Sequence, residues 1–431
     1  MLRSIPRMRR DTLGFLSDCA RRYGDVVAFP VPGDPVLLLT APEAVRQVLQ
    51  SGHREFGKRT IQYDTLALVT GRGLLTNDGD SWMRRRRLAQ PAFHGARMEA
   101  VGDQIGTAVS RLEADWERLP DGSVIDVDAA MMRVALEVVG HSLFSTDFTE
   151  DADRLVAAVL ESLDLVVARA SSPFRLPLQV PTPRNRRMRR AVAVLDEAVE
   201  PLIRARRSRA EGPGSDLLGA YIAADEDGSA LTDAEIRDEV VTLIVAGHET
   251  VASSLTWTWH LLGEHPDIAD AVAEESLRVA ADRPLNATDL RALELTGRVV
   301  TESLRLFPPA WVVSRRALAD VDLCGYSIPA GSTLILSPYV TQRDPRNFTD
   351  PEAFDPDRWC AGSADRFAYF PFGAGPNLCI GRDFALLEAA LILASLARRF
   401  RLEPQAGRVV RAEPLVTIRP ADGMPMRLSR R

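Results

Sequence analysis

From residue 239 to residue 259 the chain reads EVVTLIVAGHETVASSLTWTW, and its apolar residues fall on almost every side of a helix. A surface helix keeps a polar stripe, so a helix of this kind must be buried. Burial on all sides demands a large helical body. A chain of 431 residues, 46% of them hydrophobic, has the material for one. The step Gly247-His248-Glu249-Thr250 interrupts the run. Glycine there invites a local bend, and an acid beside an alcohol can relay protons through water. The plainer alternative is a threonine bonded back to the carbonyl four residues earlier, with Glu249 in a structural ion pair. His248 projects elsewhere on the helix and is not expected to be a ligand.

Apolar residues at three- and four-residue spacing predict further helices at 41–51, 80–90, 95–119, 152–168 and 184–209, and place the long one at 233–263. Thr232 or Asp233 can cap the long helix and Asp80 the second. Strands are expected at 26–29, 36–40 and 334–337, with a late pair at 409–411 and 417–419. The stretch 307–359, rich in Pro, Gly and Asp, reads as loops and short strands. No linker or repeat divides the chain, and 171–183 reads as a surface loop. The expected architecture is mainly α: one domain over 1–431 with a small β-rich lobe, residues 1–10 being disordered.

A net charge of −6 gives no general affinity for nucleic acid. Four cysteines, Cys19, Cys324, Cys360 and Cys379, make neither a disulfide framework nor a CxxC pair. The N-terminal residues carry no apolar stretch long enough for a signal peptide or a transmembrane anchor. A cytoplasmic protein is expected.

Chemistry concentrates in FGAGPNLCIGRDFALLEAALIL, from Phe372. Glycines 373, 375 and 381 bracket Cys379, and an apolar helix follows. Glycine permits a tight, close-approaching backbone. A cysteine at a helix N-terminus is favoured as a thiolate, and a single thiolate on haem iron donates electron density that favours O–O cleavage. On spacing alone, a small buried hydrophobe is an equal reading of Cys379. Elsewhere Glu302 and Arg305 share a helical face and can pair. Trp82 and Arg86 also share a face, and a guanidinium suits a carboxylate. The rest of the run Arg84–Arg87 reads first as solvated and second as a docking face for an acidic electron donor; the run RNRRMRR (184–190) says less still.

Phe372-x-x-Gly375-x-x-x-Cys379-x-Gly381 resembles the haem-binding loop of the cytochrome P-450 superfamily. The likeness extends from about residue 11 to the C-terminal strands, because ESLR (302–305), FDPDRW (354–359) and AGHET (246–250) follow the family's order and spacing. The resemblance implies Cys379 as axial ligand to the iron of haem b, with Phe372 near the sulfur and Gly375 permitting the turn. It implies a buried structural network of Glu302, Arg305 and Arg358. Thr250 would steady bound oxygen and Glu249 would help deliver protons. Trp82 and Arg86 would hold one haem propionate, with Arg315 rather than Arg316 a further donor. One position departs from the family: Asn377 stands where His or Arg usually binds a propionate. It can hydrogen-bond but brings no charge.

A closer likeness is to bacterial β-carotene hydroxylases of the superfamily, in TIQYDTLALVTGRGLLT (60–76), VTLIVAGHETVASSLTW (241–257), LRLFPPAWVVSRR (304–316), LSPYVTQR (336–343) and GRDFALLE (381–388). It implies Gln62, Leu66, Leu68, Ala246, Trp311 and Val312 as pocket wall, although each suits core packing equally. The implied activity is insertion of one oxygen atom from O2 into a C–H bond of a hydrophobic substrate, with carotenoid ring hydroxylation as the finer expectation. A terpene or fatty-acid hydroxylase, a peroxygenase and a non-catalytic haem sensor are the alternatives; Glu249–Thr250 argues against the last two. Electrons are expected from NAD(P)H through a ferredoxin reductase and a ferredoxin, since about forty residues after the haem loop are too few for a fused flavin domain.

Overall fold

The structure is a computed structural model describing residues 8, 10–31, 33–94, 97–172, 175–208, 216–223, 231–281, 283–362 and 364–431. These residues are mainly helical, with small sheets, and they group into two compact units. The first comprises the described part of Met1–Thr60 with Arg298–Arg382 and Ala412–Arg419. The second comprises the described part of Ile61–Gly297 with Asp383–Arg411 and Pro420–Arg431.

The first unit is built on a five-stranded sheet. Its strands lie in the order Val26–Phe29, Val36–Leu39, Thr333–Leu336, Val313–Ala317 and Phe56–Gly57. Val36–Leu39 runs parallel to Thr333–Leu336, and the other neighbours are antiparallel. Both faces are covered, which is why VLLL reads as a continuous apolar run rather than an alternating one. Leu37 and Leu39 join a core with Leu334, Leu336, Val48 and Phe370. Leu38 turns to Leu16, Cys19, Val27 and Val340.

The second unit is organised by the helix Asp233–Glu264. Thr232 caps it, with Glu235 reaching back to the cap backbone, so of the two caps expected the threonine is correct. The helix is unbroken through Gly247, and that glycine serves packing rather than a bend. A Cβ there would lie 2.8 Å from Val139 Cγ2 on the neighbouring helix Val127–Phe144.

Helices Arg97–Glu117, Ala152–Ala170 and Pro183–Ser208 and strand Val26–Phe29 lie close to where the pattern places them; residues 95, 96, 173, 174 and 209, and 1–7 and 9 of the N-terminal stretch, lie outside the described residues. Three expectations need correction. Asp78, not Asp80, caps Gly79–Ala89, its side chain accepting from Gly79 N. The late strands are Ala412–Pro414 and Ile418–Pro420, because Val409 is in fact 90% exposed and cannot anchor a buried edge. Helices Ile61–Thr70 and Val127–Phe144 were not expected at all. The second is buried along most of its length, but it keeps one narrow stripe of Ala129, Arg133, Glu137 and His141 at four-residue spacing, a signal that the sequence reading passed over.

Candidate functional site

In the first unit the chain after Phe372 turns on itself. Cys379 N donates to Phe372 O at 2.9 Å, closing the loop. Gly373 and Gly375 have φ of +72° and +66°, the left-handed region where a side chain is strained. At Gly375 the demand is also steric: a Cβ would lie 1.9 Å from the carbonyl oxygen of Leu49. Phe372 and Gly381 are half-buried, and Gly381 directly precedes the helix Arg382–Ala397. The loop thus presents Cys379, which is exposed and not in a disulfide. That excludes the small-buried-hydrophobe reading. Asn377 Oδ1 is buried and has no hydrogen-bond partner among the described residues.

The same unit contains a buried knot. Glu302 and Arg305 have no side-chain exposure. Arg305 Nε and Nη2 donate to Glu302 Oε2 and Oε1 at 2.9 and 2.8 Å. The other guanidinium protons reach the carbonyls of Gln342, Pro351 and Ala353 at 2.9, 2.6 and 2.9 Å. Arg358 Nε donates to Glu302 Oε1 at 3.3 Å, as expected. Sequence reasoning missed two members. Trp359 Nε1 donates to Glu302 Oε2 at 2.9 Å. Gln342 donates to the carbonyls of Leu304 and Arg305 and accepts from Phe370 N. Trp359 could have been found as the last letter of FDPDRW. Burial and the Glu302 carboxylate push the Tyr369 phenol well above its ordinary pKa.

Arg315 is 5% exposed, whereas Arg316 pairs with surface Asp34 at 2.8 Å. Of the two arginines, Arg315 is the buried one, and its Nη1 donates to Ser314 O at 2.9 Å. Trp311 behaves more as an anchor than as a wall. Its Nε1 donates to Leu415 O at 2.9 Å, and its ring packs on the cluster around Leu16 and Leu38. Val312 is half-buried.

In the second unit Trp82 is buried, and the Arg86 guanidinium lies over its ring at 5.4 Å, so the two do share a face. The solvated reading of the surrounding run fails at Arg85. It is buried and donates to Glu239 Oε1 at 2.9 Å and Glu235 Oε1 at 3.0 Å. Nothing in a run of four arginines says which one turns inward; the helix period decides it. Burial pushes the Glu239 carboxyl up, against the Arg85 guanidinium, which lowers it. The run at 184–190 has its arginines exposed.

The long helix is buried from Glu239 to Trp259 except at Ala246, Gly247 and Thr250, which are half-buried. Ala246 and Thr250 lie on one face, one turn apart, with Gly247 next to them against Val139. Glu249 beside them is 2% exposed. Thr250 Oγ1 donates to Ala246 O at 2.8 Å, the back-bond raised as the plainer alternative. That bond uses the hydroxyl proton and leaves the oxygen lone pairs to accept from another donor. His248 is buried, with Nδ1 2.5 Å from Ile244 O. Of the remaining wall candidates, Leu66 is buried and Gln62 and Leu68 half-buried on Ile61–Thr70.

A glycine-closed loop presenting a thiol, with a buried Glu-Arg-Arg knot, defines a haem-thiolate protein. The Cytochrome P450 family profile matches residues 4–422, and the chain belongs to that family. It is 36% identical to pentalenene oxygenase of Streptomyces avermitilis, over 99% of this chain and 94% of that protein. It is 37% identical to cyclooctatin synthase of Streptomyces melanosporofaciens, over 95% of this chain and 90% of that one. Among solved structures it resembles CYP175A1 from Thermus thermophilus, with a TM-score of 0.79 and 32% identity, covering 99% of this chain and 97% of that one. The family's cofactor is a haem bound through a thiolate, and its members are monooxygenases. The exposed Cys379 on its glycine-closed loop fits that group. Among the described residues no helix is long and apolar enough to cross a membrane.

Proposed function

We propose that the whole chain acts as one haem b monooxygenase that hydroxylates a C–H bond of a terpenoid hydrocarbon. When bound, the haem supplies the binding and reductive activation of O2. Cys379 holds the iron; Phe372 and Gly375 fix the loop that carries it. Trp82, Arg86 and Arg315 would hold the propionates, with Asn377 adding an uncharged hydrogen bond. The observation that carries the catalytic reading is the half-open strip Ala246, Gly247, Thr250 on an otherwise buried helix, with the buried acid Glu249 beside it. A hydroxyl whose proton is committed to Ala246 O keeps its lone pairs to accept a hydrogen bond, and Thr250 would in that way steady oxygen bound at the cofactor. Glu249, buried beside that strip, would supply protons through water. Electrons come from NAD(P)H through a ferredoxin reductase and a ferredoxin.

The terpenoid reading is supported by the names of the two Streptomyces relatives and by the apolar character of Leu66, Leu68 and Ala246. Carotenoid ring hydroxylation is its finer form, supported by the likeness of 60–76 and 304–316 to β-carotene hydroxylases. The protein would be reduced under carbon monoxide, then titrated in the ferric state with pentalenene, β-carotene and lauric acid. A thiolate-type CO band lost in Cys379→Ser, and a low- to high-spin shift with a terpenoid but not with laurate, are the expected results. In Thr250→Ala, NADH consumption should persist while product falls about tenfold or more and peroxide appears. Unchanged product formation would remove Thr250 from proton delivery, and a response to laurate alone would replace the terpenoid reading.

A further inference from the structure

The segment that carries Gln62, Leu66 and Leu68 is fastened to the first turns of the long helix at four points, all within the second unit. Arg237 Nη1 donates to Val69 O at 3.0 Å, at the end of Ile61–Thr70. One turn on, Asp238 Oδ2 accepts from Arg72 N at 2.8 Å. Glu239 Oε2 accepts from Leu74 N at 3.1 Å. Thr242 Oγ1 donates to Thr70 O at 3.5 Å. Consecutive residues 237, 238 and 239 thus address consecutive stretches of one loop. Backbone N–H groups bonded to carboxylates are among the stronger hydrogen bonds a protein makes.

The loop is shaped to come this close. Gly71 has φ +65°, and a Cβ on it would sit 1.8 Å from Asp238 Oδ1. A Cβ on Gly73 would sit 2.2 Å from Thr242 Oγ1 and 2.6 Å from Asp238 O. Thr76 Oγ1 closes the loop on Gly71 O at 2.6 Å. Glu239 is itself held by Arg85, so the helix Gly79–Ala89 with Trp82 and Arg86 meets the same point.

From this geometry we infer that Asp238 and Glu239 are positioning residues for substrate selection, clamping loop 71–74 so that Ile61–Thr70 forms a fixed wall in register with Ala246 and Thr250. The inference rests on the substrate reading above, and it deepens that reading. Loop mobility would let a wall adapt to many hydrocarbons; a wall pinned through two carboxylates and two glycines selects by shape. Asp238 accepts from Arg72 N and Arg237 Nη1, so its effect on selection would run through the loop it holds.

Two variants attack the clamp from opposite sides: Asp238→Ala removes the acceptor, and Gly73→Ala wedges the loop outward without changing a charge. Amide hydrogen exchange is measured on the full-length holoprotein, with Arg97–Glu117 as internal reference. Exchange over 61–76 should rise about tenfold in both variants while the reference is unchanged. For the terpenoid that binds best, KM should rise severalfold with kcat within about twofold, and the preference over laurate should shrink in proportion. Unaltered exchange over 61–76, an equal rise in the reference helix, or faster exchange with an unchanged probe preference would each overturn the assignment. If the wild-type protein binds none of the hydrocarbons, the substrate reading falls, and the exchange result still decides whether the clamp exists.

Discussion

Two buried arginine–carboxylate knots, one in each unit, solve the same electrostatic problem with different reach. In the first unit Arg305 and Glu302 lie three residues apart, and the guanidinium finds acceptors on the carboxylate and on three carbonyls. In the second, Arg85 and Glu239 lie 154 residues apart, and Glu239 divides its oxygens between the guanidinium and Leu74 N. Both carboxylates have no exposure. A buried pair gives little net stability over a well-packed apolar pair, but losing one partner strands a charge. What differs is what each knot organises. The first gathers loops of residues 342–359 around one helix; the second joins a helix, a loop and the start of another helix.

That difference sets the expected losses. Glu302→Gln strands a guanidinium among carbonyls and also weakens the bonds from Arg358 and Trp359. It should cost about 3–5 kcal/mol, a large part of the roughly 5–15 kcal/mol that holds a domain folded. The check is the yield of folded holoprotein with a thiolate-type CO band: Glu302→Gln should give almost none and Glu302→Asp some. Full recovery of Glu302→Gln would show that the knot is not a structural anchor.

Arg85→Leu should cost less, about 2–3 kcal/mol, because half-exposed Glu235 can turn to water and only Glu239 is stranded. The double variant Arg85→Leu, Glu239→Leu sharpens the comparison. It removes both charges and leaves only Leu74 N without its acceptor, at about 1–3 kcal/mol. Thermal melts should place it above the single variant. If the double variant melts no higher, charge burial is not what the pairing relieves.

The same contrast explains what could be read from the sequence. Glu302 and Arg305 were visible because their partnership is local, and FDPDRW supplied Arg358 and stood next to the missed Trp359. The Cys379 loop was visible because left-handed backbone at Gly375 leaves a glycine in the sequence. Arg85 was hidden in a run of arginines, and its partner lies half the unit away along the chain. Helix Val127–Phe144 was overlooked for another reason: its outward stripe is only one residue wide, Ala129, Arg133, Glu137 and His141, among apolar neighbours on every other side. At Thr250 the plainer reading is the one on view: the half-buried threonine makes its back-bond to Ala246 O, and its catalytic role belongs to the proposal above.

A third buried carboxylate tests the comparison at its limit. Glu388, on Arg382–Ala397, has no exposure, and neither of its oxygens has a protein partner among the described residues. Burial pushes its carboxyl well above the ordinary value, because an ion without an arginine cannot be accommodated in apolar surroundings. The folded chain therefore holds this proton more tightly than the unfolded chain. The resulting stabilisation is fully present below the unfolded-state pKa and is lost as pH rises through the folded value. Glu388→Gln keeps the shape and stays neutral at every pH. Relative to the wild type it should be within about 0.5 kcal/mol at pH 4. Its advantage should then grow by about 1.4 kcal/mol for each pH unit between the unfolded-state and folded pKa values, and level off above the folded one. Thermal melts of both proteins from pH 4 to pH 9 measure the divergence. Parallel curves would mean that Glu388 finds a cation or water that holds it ionised, and would place it with Glu302 and Glu239 rather than apart from them.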